Sequence, residues 1–215
     1  MSFTDYTYYV RDINVPINAA SSSDVNYGKL NDSINRYEND ILKLLLGYTL
    51  WKEFTDAYAA SILDSGDEDY AELPEKWSDF INGKEFSFEV GGKTVSTKWN
   101  GLVNSDKVSL LAYYVYYNHR FYSQTSYSGI GETKAKGENS SVADGSYKLT
   151  LTWNKMVNIY GEIPFTMLTF KNFFLDVNNY VHYNSEASAY NFLLANKETY
   201  SGWVFTPLRK KHNYF

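Results

Sequence analysis

The stretch SDKVSLLAYYVYYNHRFYSQTSY, residues 105–127, holds neither glycine nor proline and constrains this chain more than any other part of it. Asn104 or Ser105 stands where an N-cap belongs, so the segment predicts a helix. Val108, Leu111, Ala112, Val115, His119 and Tyr122 recur at helical spacing as one stripe. A second stripe of Leu110, Tyr114, Tyr117 and Phe121 runs beside Leu111 and Asn118. Only Ser109, Tyr116, Arg120 and Ser123 form a polar strip. A helix apolar around more than half its circumference must be covered on several sides. The expected fold class is therefore mainly α: a helical bundle around this helix, with one small β-hairpin insertion and extended terminal arms.

The flanking periodicity supplies the rest of the bundle. Leu30, Ile34, Tyr37, Ile41, Leu44 and Leu45 share one face of a helix capped at Asn31 or Asp32. Gly47 fits a C′ position or a kink, and a following helix from Tyr48 to about Leu63 carries Leu50, Trp51, Phe54, Ala57, Tyr58 and Ile62. Pro74 opens a short helix that ends at Gly83, with Trp77, Phe80 and Ile81 turned inward. The run EFSFEV-GG-KTVSTKW, residues 85–99, is the pattern of a two-residue hairpin that packs one face on the bundle. A further helix from Tyr147 to Tyr160 presents Leu149, Trp153, Met156, Val157 and Tyr160 and stops at Gly161. The aromatic-rich run 162–183 follows no single period and reads as mixed helix and extended chain. Asn184-Ser185-Glu186 opens a last helix through Tyr190, Leu193, Leu194 and Lys197.

Three segments fall outside this pattern. Residues 1–28 read as an extended N-terminal arm, with strand-like alternation of Phe3, Tyr6, Tyr8, Val10 and Ile13. Residues 128–145 are polar and glycine-rich, a loop longer than ordinary connections and expected to be mobile. Residues 202–215 combine aromatic anchors, Trp203, Phe205, Tyr214 and Phe215, with the basic residues Arg209, Lys210 and Lys211. Trp, Tyr and Arg dominate interface hot spots, so these seven are the candidate partner-binding residues of a C-terminal docking arm. Residues 29–201 then form one bundle domain between two arms.

Composition bears mainly on function. The formal charge of −5 argues against a dedicated nucleic-acid binder, and the absence of cysteine excludes disulfides, thiol nucleophiles and Cys-based zinc sites. The first residues have no signal-peptide pattern and no run approaches a membrane span, so the chain is expected in a cytoplasm, without membrane contact. His119, His182 and His212 lie far apart and match no ligand spacing. The acidic run 64–72, DSGDEDYAE, places Gly66 and Ala71 where a calcium loop needs oxygen ligands, and reads as solvated. No elbow, Walker loop or other nucleophile motif is present, so neither a catalytic residue nor a cofactor nor a metal is assigned. The 21 tyrosines are the unusual feature: too many to bury with satisfied hydroxyls, they predict contact surfaces.

Five pieces occur in an order that resembles a head-to-tail connector (adaptor or neck ring) protein of tailed bacteriophages, of the crAss-like podovirus type. They are ILKLLLGYTLWKEF (41–54), EKWSDFINGKEF (75–86), WNGLVNSDKVSLLAYYVYY (99–117), GENSSV (137–142) and TWNKMVNIYG (152–161). The resemblance covers most of residues 40–161 and neither terminal segment. It implies a structural virion protein of the neck, assembled in the host cytoplasm. Copies of itself would close into a ring, a dodecamer, between the portal protein and adjacent tail or ring proteins. Genomic DNA would pass through without sequence-specific binding, and no cofactor or active site is implied. Two readings from other classes stand beside it: a carbohydrate-binding module, in which exposed aromatics stack on sugars, and an intracellular helical scaffold protein. A monomeric state would favour the module and a large ring the connector.

Overall fold

The computed structural model describes residues 2–17, 24–90, 93–123, 126–128, 131–133, 146–161 and 186–211. Its architecture is mainly α with a small β-hairpin. The N-terminal residues do not form the extended alternation read from the sequence. They fold into two single 3-10 turns, Tyr6–Tyr8 and Arg11–Ile13. Asp5 caps the first by accepting from the Thr7 amide at 2.8 Å, a local bond that competes with strand formation. Tyr8, Tyr9, Ile13 and Val15 enter the main core.

Helix α1, Val25–Ser61, starts earlier than the apolar period suggests, because Asp24 accepts from the amides of Asn26 and Tyr27 and supplies the N-cap. Asn31 and Asp32 lie inside the helix. Gly47 breaks it, with φ +73° and ψ 164°, a region almost restricted to glycine, so the two expected helices are two arms of one bent element. Leu30, Ile34, Ile41, Leu45, Leu50 and Phe54 are buried as their spacing requires, whereas Ile62 caps the end and is exposed.

Helix α2, Glu75–Asn82, follows Pro74 and buries Trp77, Phe80 and Ile81. It stops at Gly83, which crosses Gly101 so closely that a Cβ on either would meet the other's backbone nitrogen within 3 Å. Strands β1, Lys84–Val90, and β2, Lys93–Trp99, pair antiparallel with Val90 opposite Lys93, the register of a two-residue turn; Gly91 and Gly92 themselves lie outside the described residues. Phe86 turns toward the bundle and meets Phe192 at 5.5 Å, while the Ser87 and Ser96 hydroxyls pair on the exposed face. Trp99 joins Phe54, Trp77, Phe80, Phe192 and Tyr200 in one aromatic cluster that ties the hairpin to three helices.

Helix α3, Leu110–Ser123, is shorter than the stretch that predicts it. Lys107 takes φ +58°, which no helix continues through, and Asn104 closes the turn by pairing with the backbone of Val108. The cap is Ser109, whose hydroxyl accepts from Leu111 N–H and donates to the Leu102 carbonyl. The helix lies against α1 on one side and α4, Ser146–Tyr160, on the other. Its burial is graded along the axis, not striped around it. Ser109 through Tyr113 and Val115 through Tyr117 are buried, including Ser109 and Tyr116 of the expected polar strip, whereas Val108, Phe121 and Tyr122 of the expected apolar stripes are exposed. The N-terminal turns pass through the centre of the bundle and the C-terminal turns emerge from it.

Strands β3, Ser126–Ser128, and β4, Gly131–Thr133, form a short antiparallel ladder where the polar loop was expected to begin; 134–145 lie outside the described residues. So do 162–185, including the mixed segment 162–183. Strand β5, Glu186–Ala187, adds to β2 in parallel, a third strand that the sequence does not announce. The last helix, α5, Ala189–Ala195, therefore starts later than expected: Ser188 caps it by accepting from Asn191 N–H, and Glu186 is spent in the sheet.

Candidate interaction surface

The break at Gly47 creates the surface on which the C-terminal segment sits. A helix that ends leaves its last carbonyls without intrahelical partners. Here two of them receive donors from far along the chain: the Leu45 carbonyl accepts from Trp203 Nε1 at 2.7 Å and the Leu44 carbonyl from Thr206 N–H at 3.2 Å. Gly47 is needed twice over, since a Cβ there would lie 2.9 Å from the Val204 carbonyl oxygen as well as straining the backbone.

Residues 203–211 run extended over this site and on across α4. Trp203 and Phe205 point inward and Val204 and Thr206 outward, the two-residue alternation of extended chain. Phe205 packs on Tyr190 at 4.7 Å and Tyr160 at 5.1 Å, and Tyr190 meets Trp203 at 5.5 Å. From α4, Tyr160 donates its hydroxyl to the Thr206 carbonyl and Trp153 its indole N–H to the Arg209 carbonyl. Asn154 closes the strap with a pair of bonds to the backbone of Lys211, at 2.8 and 2.9 Å. Lys211 Nζ lies over the rings of Tyr117 and Trp153, 4.4 and 4.6 Å from their centroids, and bonds the Tyr117 hydroxyl.

Of the seven candidate partner-binding residues, then, Trp203, Phe205 and Lys211 are brought together on the chain's own bundle, and the segment is a strap docked in cis as far as Lys211 rather than a detached arm. Two contributions hold it there: the strap supplies donors to the open carbonyls of the α1 break, and Trp203 and Phe205 pack on Tyr190 and Tyr160. Arg209 lies on the same path; Lys210 follows it. Tyr214 and Phe215 lie outside the described residues. Of the receiving residues on α4, the spacing marks Trp153 and Tyr160 only as members of the helix's apolar face and does not single out Asn154. One signal for the site was present: a glycine at C′ implies carbonyls in need of partners.

Several large apolar residues are left facing solvent, at this break and away from it. Tyr48, 70% exposed, and Val204, 66% exposed, flank the α1 break, with Trp51 beside Tyr48 at 5.9 Å under the Lys43 ammonium. At the emerging end of α3, Phe121 and Tyr122 are 51% and 65% exposed, and Tyr122 stacks on Tyr37 with rings 6.3 Å apart and 6° from parallel. Tyr147 and Leu151 form an exposed pair one turn apart on α4. Many of the other tyrosines tie the fold together instead: Tyr113 donates to Asp12, Tyr200 to the Lys76 carbonyl, and Tyr8 to the Asn104 carbonyl.

The titratable groups with displaced equilibria are scattered through the fold. Burial raises the Glu38 carboxyl, against the pull of its bonds from Thr4 and Phe3. Burial lowers His119, helped by Arg120 and Lys29, and its Nδ1 pairs with the Ser33 hydroxyl at 2.9 Å. At Asp12 burial pulls upward, but the bonds from Lys155 and Tyr113 together outweigh it and lower the group. His182 and His212 lie outside the described residues. Among the described residues no three His, Asp or Glu side chains gather as a metal site, the acidic side chains of 64–72 face solvent, and no helix is long and apolar enough to cross a membrane. No family model, curated protein or solved structure matches the chain.

Proposed function

We propose that the chain is a structural virion protein, one subunit of a head-to-tail connector ring that joins the portal to the tail and lines the passage for DNA. The resemblance of residues 40–161 motivates the reading, and one observation carries it further. A subunit that closes into a ring needs two different surfaces, because a head-to-tail contact joins one patch to another. Two exposed patches border α1 on opposite sides of its break, one where Tyr122 of α3 stacks on Tyr37 and one at Tyr48 with Val204. Contiguous exposed apolar surface is the usual mark of a contact site, and these are the candidates for it on this chain. The solvent-facing acidic run 64–72 and the net charge of −5 suit a conduit that must not hold phosphates.

In this reading the ring has twelve members, occupies the neck of the virion, contacts the portal and adjacent tail or ring proteins, and carries out no chemistry. The test is the mass of the purified chain by light scattering, alone and with the portal, together with electron micrographs of the product. A ring, lost on Tyr122→Asp or Tyr48→Asp with folding intact, is the expected result. A chain that stays monomeric alone and does not join a portal overturns it.

A further inference from the structure

We infer that the C-terminal strap is exchangeable, and that the groove formed by the α1 break, α4 and α5 accepts residues 203–211 of a second copy of this chain in the same geometry. Every group that receives the strap precedes it in the chain: the Leu44 and Leu45 carbonyls, Trp153, Asn154 and Tyr160 of α4, and Tyr190 of α5. The groove is therefore complete without the strap's own linkage to it. That linkage is slight. It is one tight turn: Tyr200 is anchored in the core through the Lys76 carbonyl, Trp203 is anchored at Leu45 and returns its N–H to the Tyr200 carbonyl at 3.2 Å, and between them Ser201 and Gly202 are exposed, Gly202 at φ +84°, so exchange opens a single backbone hydrogen bond at a short hinge. The strap is extended chain that docks through its backbone and alternate side chains, a mode in which an added segment serves as well as a tethered one.

The occupant is fixed as a second copy because the same sequence meets the same donors and acceptors, so exchange replaces each contact by its equal. The cost is the turn's one hydrogen bond together with the lost advantage of tethering, which for so short a linker corresponds to an effective concentration of roughly millimolar or above. Exchange is then rare between dilute copies and common where other contacts hold copies side by side. A strap passed always to the next subunit is a head-to-tail contact, which closes into rings. The inference does not depend on the connector reading.

The sequence contains no cysteine, so Asn154→Cys and Lys211→Cys in the full chain place the only two thiols at the clasp. Treatment with a short bismaleimide is expected to give closed single chains at micromolar concentration. Interchain links should rise toward half of the product as concentration approaches the roughly millimolar effective value. Adding Trp203→Ala and Phe205→Ala should abolish those interchain links at least tenfold. Three results overturn the inference: closed single chains at every concentration, interchain links indifferent to the loss of Trp203 and Phe205, or no linking at all, which would remove the strap from α4. A ring without interchain links leaves the connector standing and ends strap exchange; interchain links in a chain that never joins a portal do the reverse.

Discussion

Both terminal segments lack a helical hydrophobic period, and both dock on α1, yet they are held by different chemistry. The N-terminal segment is bound by a charge. The Glu38 carboxylate, buried inside α1, accepts from Phe3 N–H at 2.7 Å, Thr4 N–H at 2.9 Å and the Thr4 hydroxyl at 2.5 Å. Around it Tyr8, Tyr9, Ile13 and Val15 are buried in the main core. The C-terminal strap is bound by carbonyls at a helix break near the surface, with Trp203 and Phe205 only half-buried and Val204 exposed. Water can replace a donor at a surface carbonyl, but it cannot reach a carboxylate sealed under aromatic rings, and an unpaired buried charge is expensive. One segment is thus part of the core and the other is separable from it.

The largest effect is expected from deletion. Removing residues 2–15 takes four core side chains and leaves Glu38 unpartnered, so cooperative urea unfolding should be lost. Removing residues 203–215 should leave a cooperative transition, lowered by about 2–4 kcal/mol for the half-buried aromatics. Equal collapse of both deletions would erase the distinction between the segments. Next in size, Glu38→Ala leaves three donors without an acceptor and should cost about 2–4 kcal/mol. Amide exchange at Phe3 and Thr4 should rise in that variant while Thr206 stays protected.

Gly47→Ala acts on the other segment. The substitution forces a side chain into a region nearly closed to it and against Val204, at a cost of about 1–3 kcal/mol. Loosening should appear first in the strap, as a red shift of Trp203 emission and faster exchange at Thr206, with Phe3 and Thr4 unchanged. The smallest effect is a pH slope. Because burial raises the folded-state pKa of Glu38, its protonated form is favoured by folding. Its contribution is fully present below the ordinary carboxylate value, about 4.3, and is lost as pH rises through the raised folded value. Stability of the natural chain relative to Glu38→Gln should decline over that window and then level off. A difference that is constant across the window would mean that the N-terminal segment neutralises the carboxylate without a burial cost.

Helix content and much of the inward packing were legible in residue spacing, since period alone places Leu30, Ile34, Ile41, Leu45, Trp77, Phe80, Met156 and Val157 on buried faces. The hairpin was legible for a similar reason: alternation around Gly91-Gly92 fixes its register. What spacing could not reveal depends on neighbours remote in sequence. Tyr116 sits on the strip marked polar and is buried because α3 is enclosed on all sides near its start, while Tyr122, on an apolar stripe, is exposed because the bundle ends before it. The helix starts at Asp24, Ser109 and Ser188 were each displaced from the sequence estimate, because a cap is chosen by where the incoming backbone can turn and not by the first apolar residue. Of the candidate site, the sequence marked the aromatic and basic residues of 203–211 as anchors, since such side chains are seldom left on a loose terminus. It did not determine that they close on their own bundle. That choice belongs to the tertiary structure, where the backbone break at Gly47 leaves the Leu45 carbonyl 158 residues from its donor in the chain and within hydrogen-bond reach of it in space.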